Sequence, residues 1–223
     1  MPHARVRWTR IVTQRIFDIS PLIDPSIHVW PGDTPYVHTV NLDMHKGANI
    51  TLSDIRTTVH VGAHTDAPNH YVADGEDIAM RRLDLYIGPC GVISVQRCRG
   101  RRVMPADVDL SRVTRPRILL RTGSFPDPHR WNNDFASLSP ELVDALHTRG
   151  VVLIGIDTPS VDPFESKALE AHHAFARHDM AVLEGIVLDG VGDGDYELIA
   201  LPLRLRGADA SPVRAVLRAL SDR

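Results

Sequence analysis

Two early segments, Val37 to Leu42 and Ile50 to Val61, interleave β-branched with polar residues, the period of half-buried strands. Gly91 to Val95 and Arg117 to Arg121 are short apolar runs of strand length. Ser139-Pro140-Glu141 supplies an N-cap, a first-turn proline and a first-turn acid. Leu142, Val143 and Leu146 then share one helical face, Gly150 marks a stop, and Val151 to Ile156 reads as a buried strand. Further on, the pattern predicts a helix over Ser166 to Arg177 and strands over Met180 to Leu188 and Tyr196 to Leu201. Ser211-Pro212 is expected to cap a terminal helix bearing Val213, Val216, Leu217 and Leu220. Strands dominate the first half and helix–strand units the second, so the expected fold is α/β with a mixed sheet rather than a doubly wound parallel one. No GxGxxG or phosphate loop supports a nucleotide fold.

Composition narrows the class. The chain has 223 residues, 43% hydrophobic, which fits one large domain from residue 16 to 223. Residues 1–15 carry four arginines and no acid, and are expected to form a flexible basic extension without the apolar stretch of a secretory signal. A net charge of −3 gives no general reason to expect nucleic acid or an anionic membrane as partner. No apolar run approaches the roughly 18 residues of a membrane span. The two cysteines form no CxxC pair, which suits a cytoplasmic protein. Histidine stands out, with 12 against 5 phenylalanines, 4 tyrosines and 3 tryptophans.

Placement gives that excess meaning. His60, His64, Asp66 and His70 fall within one short segment, His60-Val61-Gly62-Ala63-His64-Thr65-Asp66-Ala67-Pro68-Asn69-His70. A helix is disfavoured by Gly62, Pro68 and the β-branched lead-in. A straight strand would hold His60 and His64 about 13 Å apart at 3.3 Å per residue, too far for one ion. Gly62 is the point at which the backbone can bend, so a strand end folding back on itself is expected, with His60, His64 and Asp66 as metal ligands. Glu184 lies in a run that is apolar on both faces. It must be protonated, paired with a base such as arginine, or bound to metal. His172 and His173 lie just upstream, and spacing alone does not choose between them.

These residues resemble the cyclase-like metal hydrolase family, marked by HxGTHxDxPxH, and within it the bacterial kynurenine formamidase (arylformamidase) branch. The similarity extends to Phe17-Asp18-Ile19-Ser20-Pro21, Val29 to Pro35, Leu153 to Ser160, Glu165-Ser166-Lys167, Leu183 to Asp189 and Tyr196 to Leu203. Ala63 replaces the family threonine, as is usual in the formamidase branch. The resemblance implies a swivelling β/β/α domain, commonly a homodimer, with two divalent metal ions per chain, most often zinc. His60, His64 and Asp66 match the first-site ligands, Asp66 bridging. His172 matches the second-site histidine and Glu184 the second bridging carboxylate. His70 matches the catalytic proton donor and acceptor, and Trp30 a substrate-contacting aromatic.

The implied reaction is hydrolysis of N-formyl-L-kynurenine to L-kynurenine and formate, in tryptophan degradation. Metal ions lower the pKa of a bound water and polarise a carbonyl, and the aromatic amine needs protonation before it leaves. The rival within the family is another small cyclic amide or ester such as isatin. A rival of another class is a non-catalytic metal-binding protein, which would close its coordination shell and need no shuttle.

Overall fold

The computed structural model describes residues 15–220, so the basic extension, apart from Arg15, lies outside the described residues. In chain order the strands are β1 (Ile16–Asp18), β2 (Val37–Leu42), β3 (Leu52–Arg56), β4 (His64–Asp66), β5 (Ile87–Ser94), β6 (Arg102–Val103) and β7 (Arg117–Arg121). They continue as β8 (Ser137–Leu138), β9 (Leu153–Ile156), β10 (Ala181–Leu183), β11 (Gly194–Ile199), β12 (Ala210–Pro212) and β13 (Val216–Ala219). The helices are α1 (Pro140–His147) and α2 (Glu170–Arg177). Neither is long and apolar enough to cross a membrane.

Seven strands form one sheet in the order β1-β13-β11-β5-β7-β9-β10. The β5-β7-β9-β10 half is parallel, and β11, β13 and β1 are antiparallel to their neighbours, so the sheet is mixed as expected. The apolar runs are continuous because both faces are covered. Ile118, Leu120, Ile154 and Ile156 pack with Leu142, Leu146 and Phe175 of the helices. The alternate residues Leu119 and Leu153 join Ile19, Leu183, Leu198 and Leu217 on the other face. Ser139 caps α1 by accepting from the Leu142 N–H.

The sequence pattern needs four corrections. The expected terminal helix is absent. Ser211 and Pro212 belong to β12, and Val216–Ala219 is a strand paired to β11 and β1. Val213, Ala215 and Leu217 are buried while Arg214 and Arg218 are exposed, so the period there is two. The apolar spacing fitted either period, and pairing with two strands decided it. The strand expected over Ile50 to Val61 is confined to Leu52–Arg56, and both strands of its hairpin are exposed throughout rather than half-buried. The helix expected from Ser166 begins at Glu170, because Leu169 takes a left-handed φ of 47°. The strand expected over Met180 to Leu188 stops at Leu183, where Gly185 turns the chain with a φ of 64°.

Candidate metal centre

The bend expected at Gly62 exists, with a left-handed φ of 61°. Beyond it β4 carries His64 and Asp66 on one face, two residues apart. Glu184, just past β10, pairs with His64 through both backbone hydrogen bonds, His64 N–H to Glu184 O and Glu184 N–H to His64 O. The next residue, Gly185, lies so close to the bend that a Cβ there would stand 2.2 Å from the Gly62 carbonyl oxygen. Two glycines thus let two ligand-bearing turns touch. The helix α2 delivers His172 from a third direction, while His173 beside it is exposed.

The five expected ligands converge. His60 Nδ1 is 3.1 Å and His64 Nε2 3.5 Å from Asp66 Oδ1, and His64 Nε2 is 3.2 Å from Glu184 Oε2. On the opposite side, His172 Nε2 lies 3.3 Å from Asp66 Oδ2 and 3.6 Å from Glu184 Oε1. Each carboxylate therefore turns one oxygen to His64 and the other to His172. Glu184 finds no arginine; its Oε1 accepts the Val161 N–H at 2.7 Å. Both Asp66 oxygens and His172 Nε2 are buried without a hydrogen-bond partner. Ligand atoms on one tetrahedral zinc are roughly 3.3 Å apart, which is the spacing these donors keep. The donor set suits a divalent cation.

The other nitrogen of each imidazole is held from outside. His64 Nδ1 lies 3.0 Å from Gly62 O, His172 Nδ1 2.8 Å from Asp162 Oδ2, and His60 Nε2 3.0 Å from Asp209 Oδ2. Such contacts fix the tautomer that leaves a lone pair for metal. Asp162 is itself locked by the Ala171 and His172 N–H groups and by the Arg102 guanidinium. Asp209 also holds His70 Nδ1 at 3.2 Å. His70, at the end of a short turn opened by Pro68, has its ring centroid 4.4 Å from that of His60 and 5.9 Å from that of His172. Its nitrogens come within ligand reach of Asp66 and His172.

Charge follows from this packing. Burial opposes the charged form of His60, but Asp66 and Asp209 outweigh it and raise its pKa to about 9. His172 is raised to about 10 against the same burial penalty, by Asp162, Asp66 and Glu184. Burial likewise opposes ionisation of Asp66, yet His172 and His60 hold it well below the usual carboxylate range. Asp162 is lowered to about 2, its burial overcome by His172 and the helix N–H groups.

Above the cluster lies a cavity of about 530 Å³. Trp30 lines it and packs against Trp131 and Phe164, with ring centroids 5.4 and 5.1 Å away. Phe125, His28, Asp157, Pro159 and Ser160 also contribute to the lining. Asp162, Asp209, Trp131 and Phe125 were missed by sequence reasoning. Asp162 sits only two residues beyond Ser160, a neighbourhood the sequence did flag. Asp209 is isolated in a loop with no ligand-like spacing.

A mixed sheet carrying a carboxylate-bridged imidazole cluster beneath an aromatic cavity defines a class of protein. The Cyclase family model matches residues 17–163, and the chain belongs to that family. Solved structures share the fold. A potential metal-dependent hydrolase with cyclase activity is 21% identical over 94% of this chain and 100% of its own, with a TM-score of 0.80. A predicted metal-dependent hydrolase from Bacillus stearothermophilus is 22% identical over 92% and 98%, with a TM-score of 0.76. Isatin hydrolase A from Labrenzia aggregata is 19% identical over 91% and 93%, with a TM-score of 0.73.

Proposed function

We propose that this protein is a metal-dependent arylformamidase that hydrolyses N-formyl-L-kynurenine to L-kynurenine and formate. The observation that carries the reading is His70, an imidazole oriented by Asp209 beside the ligand cluster and lining the cavity. His60, His64 and Asp66 would hold one divalent ion, and Asp66, His172 and Glu184 a second, with zinc the proposed metal. Such ions, when bound, lower the pKa of a water molecule and polarise the amide carbonyl. The hydrolase descriptions of the structural neighbours support the same class.

In this reading Asp209 accepts from His70 Nδ1–H and leaves Nε2 to handle the proton. Water adds to the formyl carbon while Nε2 takes its proton. Nε2 then gives that proton to the aniline nitrogen as the carbon–nitrogen bond breaks, and the free amine departs with formic acid, which loses its proton to solvent as formate. Trp30, with Trp131 and Phe164 behind it, offers an aromatic wall for the aryl ring.

Three of the structural neighbours are isatin hydrolases, one bound to the product analogue thioisatinate. Metal-replete protein should therefore be assayed on N-formylkynurenine and on isatin together. Faster formamide turnover is expected; isatin opening alone would replace the substrate assignment. A homodimer is part of the same proposal. The β2–β3 hairpin leaves Val37, Val40, Leu52 and Ile55 uncovered, with Val40 and Ile55 sharing one face for a second copy to cover. Sedimentation at the mass of one chain in micromolar solution would reject it.

A further inference from the structure

We infer that Lys167 receives a carboxylate on the substrate, so that the cavity selects an aromatic amide with an acidic arm. This rests on the hydrolase reading above and narrows its substrate class. The cavity walls are chiefly apolar and aromatic, and Lys167 is the sole lysine or arginine among the residues lining them. The anionic side chains outside the ligand cluster are already engaged. Asp157 accepts the N–H groups of Thr122 and Gly123 and the Thr122 hydroxyl, and Asp33 accepts the Thr34 N–H. Among the described residues, Lys167 makes no ion pair within 4.0 Å. An exposed ammonium free of any carboxylate is left at the cavity.

The identity of the side chain is also informative. Of 25 basic residues, only Lys46 and Lys167 are lysine. Lys46 lies far out on the hairpin turn, 82% exposed. A guanidinium is planar and stacks on aromatic faces, whereas an ammonium is a compact point charge on a flexible stem. An arginine at 167 would compete with the substrate ring for the Trp30, Trp131 and Phe164 faces. Lysine leaves them free and still supplies the cation. Its backbone is fixed: Ser166 N–H donates to Pro163 O, and Ser166 Oγ accepts the Leu169 N–H and donates to Glu170. Lys167 is therefore held just ahead of the helix that carries His172.

The test compares ligands that differ only in the acidic arm. Calorimetry should measure binding of L-kynurenine and of 2′-aminoacetophenone, which keeps the ring and ketone but lacks the amino-acid arm, to metal-loaded wild type and K167M. Wild type should bind L-kynurenine more tightly, and K167M should erase about 10- to 100-fold of that preference, the range for a hydrogen bond to a charged group. The kcat/KM ratio of N-formyl-L-kynurenine to formanilide should fall by a similar factor, through KM. An unchanged preference in K167M, or no preference in wild type, overturns the assignment. Wild type that binds selectively but hydrolyses neither formamide would instead reject the hydrolase reading and leave Lys167 standing.

Discussion

In the proposed reaction His70 carries the proton, and its surroundings define a sharp expectation. Asp209 holds one nitrogen, and the ring packs against His60, which rests on the same Asp209 oxygen. Replacing His70 by alanine should lower kcat by about 10²- to 10⁴-fold, the usual worth of a positioned acid–base group. Metal content, read by elemental analysis, should stay near wild type. A parallel loss of bound metal would make His70 a ligand, for which its nitrogens have the reach. Glu184→Gln should act differently: the bridging charge disappears, so chelator competition should show weaker metal binding even where the fold survives. Equal affinity would reject the bridge.

At the level of elements, the site is assembled by the touching of two turns. A Cβ at Gly185 would meet the Gly62 carbonyl at 2.2 Å, and the φ of 64° already disfavours an L side chain. Gly185→Ala should therefore push the His60–His64 bend away from Glu184, costing on the order of 1–3 kcal/mol of stability and weakening metal retention together. A thermal melt and metal titration matching wild type would show that the approach is slack. Much of this was legible in the sequence. The ligand motif, its bend glycine and the burial of Glu184 follow from local pattern, as do α1 and the central strands. The C-terminal strand was not, because Val213, Val216, Leu217 and Leu220 fit a helix by spacing, and only the β11 and β1 edges select the alternative. Asp162 and Asp209 were invisible for a related reason. Their role is to hold an imidazole that is distant in sequence for Asp209, and a carboxylate in a loop carries no period that announces it.

For the whole molecule, the cluster couples metal, protons and stability. His60 and His172 are raised above 6.5, to about 9 and about 10. In metal-free protein their contacts thus contribute stability that is complete below pH 6.5 and is lost as pH rises through 9 to 10. Asp66 and Asp162 are lowered from 3.8, so their contribution is present above that value and lost as pH falls below it. Metal-free protein should be most stable between these limits, and its melting temperature should decline on the alkaline side. Metal-loaded protein should escape that decline, because bound cations pair with the carboxylates without needing protonated imidazoles. A metal-free melting temperature that is flat from pH 6.5 to 10 would contradict the assigned ion pairs.

The imidazoles locked between carboxylates have a further consequence. Loading this centre at neutral pH is an exchange of cations for protons, because His60 and His172 begin charged and must release those protons to expose lone pairs. The heat of metal binding should then vary with the ionisation enthalpy of the buffer, the slope counting the protons released. Speed is affected as well as affinity: deprotonation precedes coordination, so uptake should accelerate as the medium becomes more alkaline.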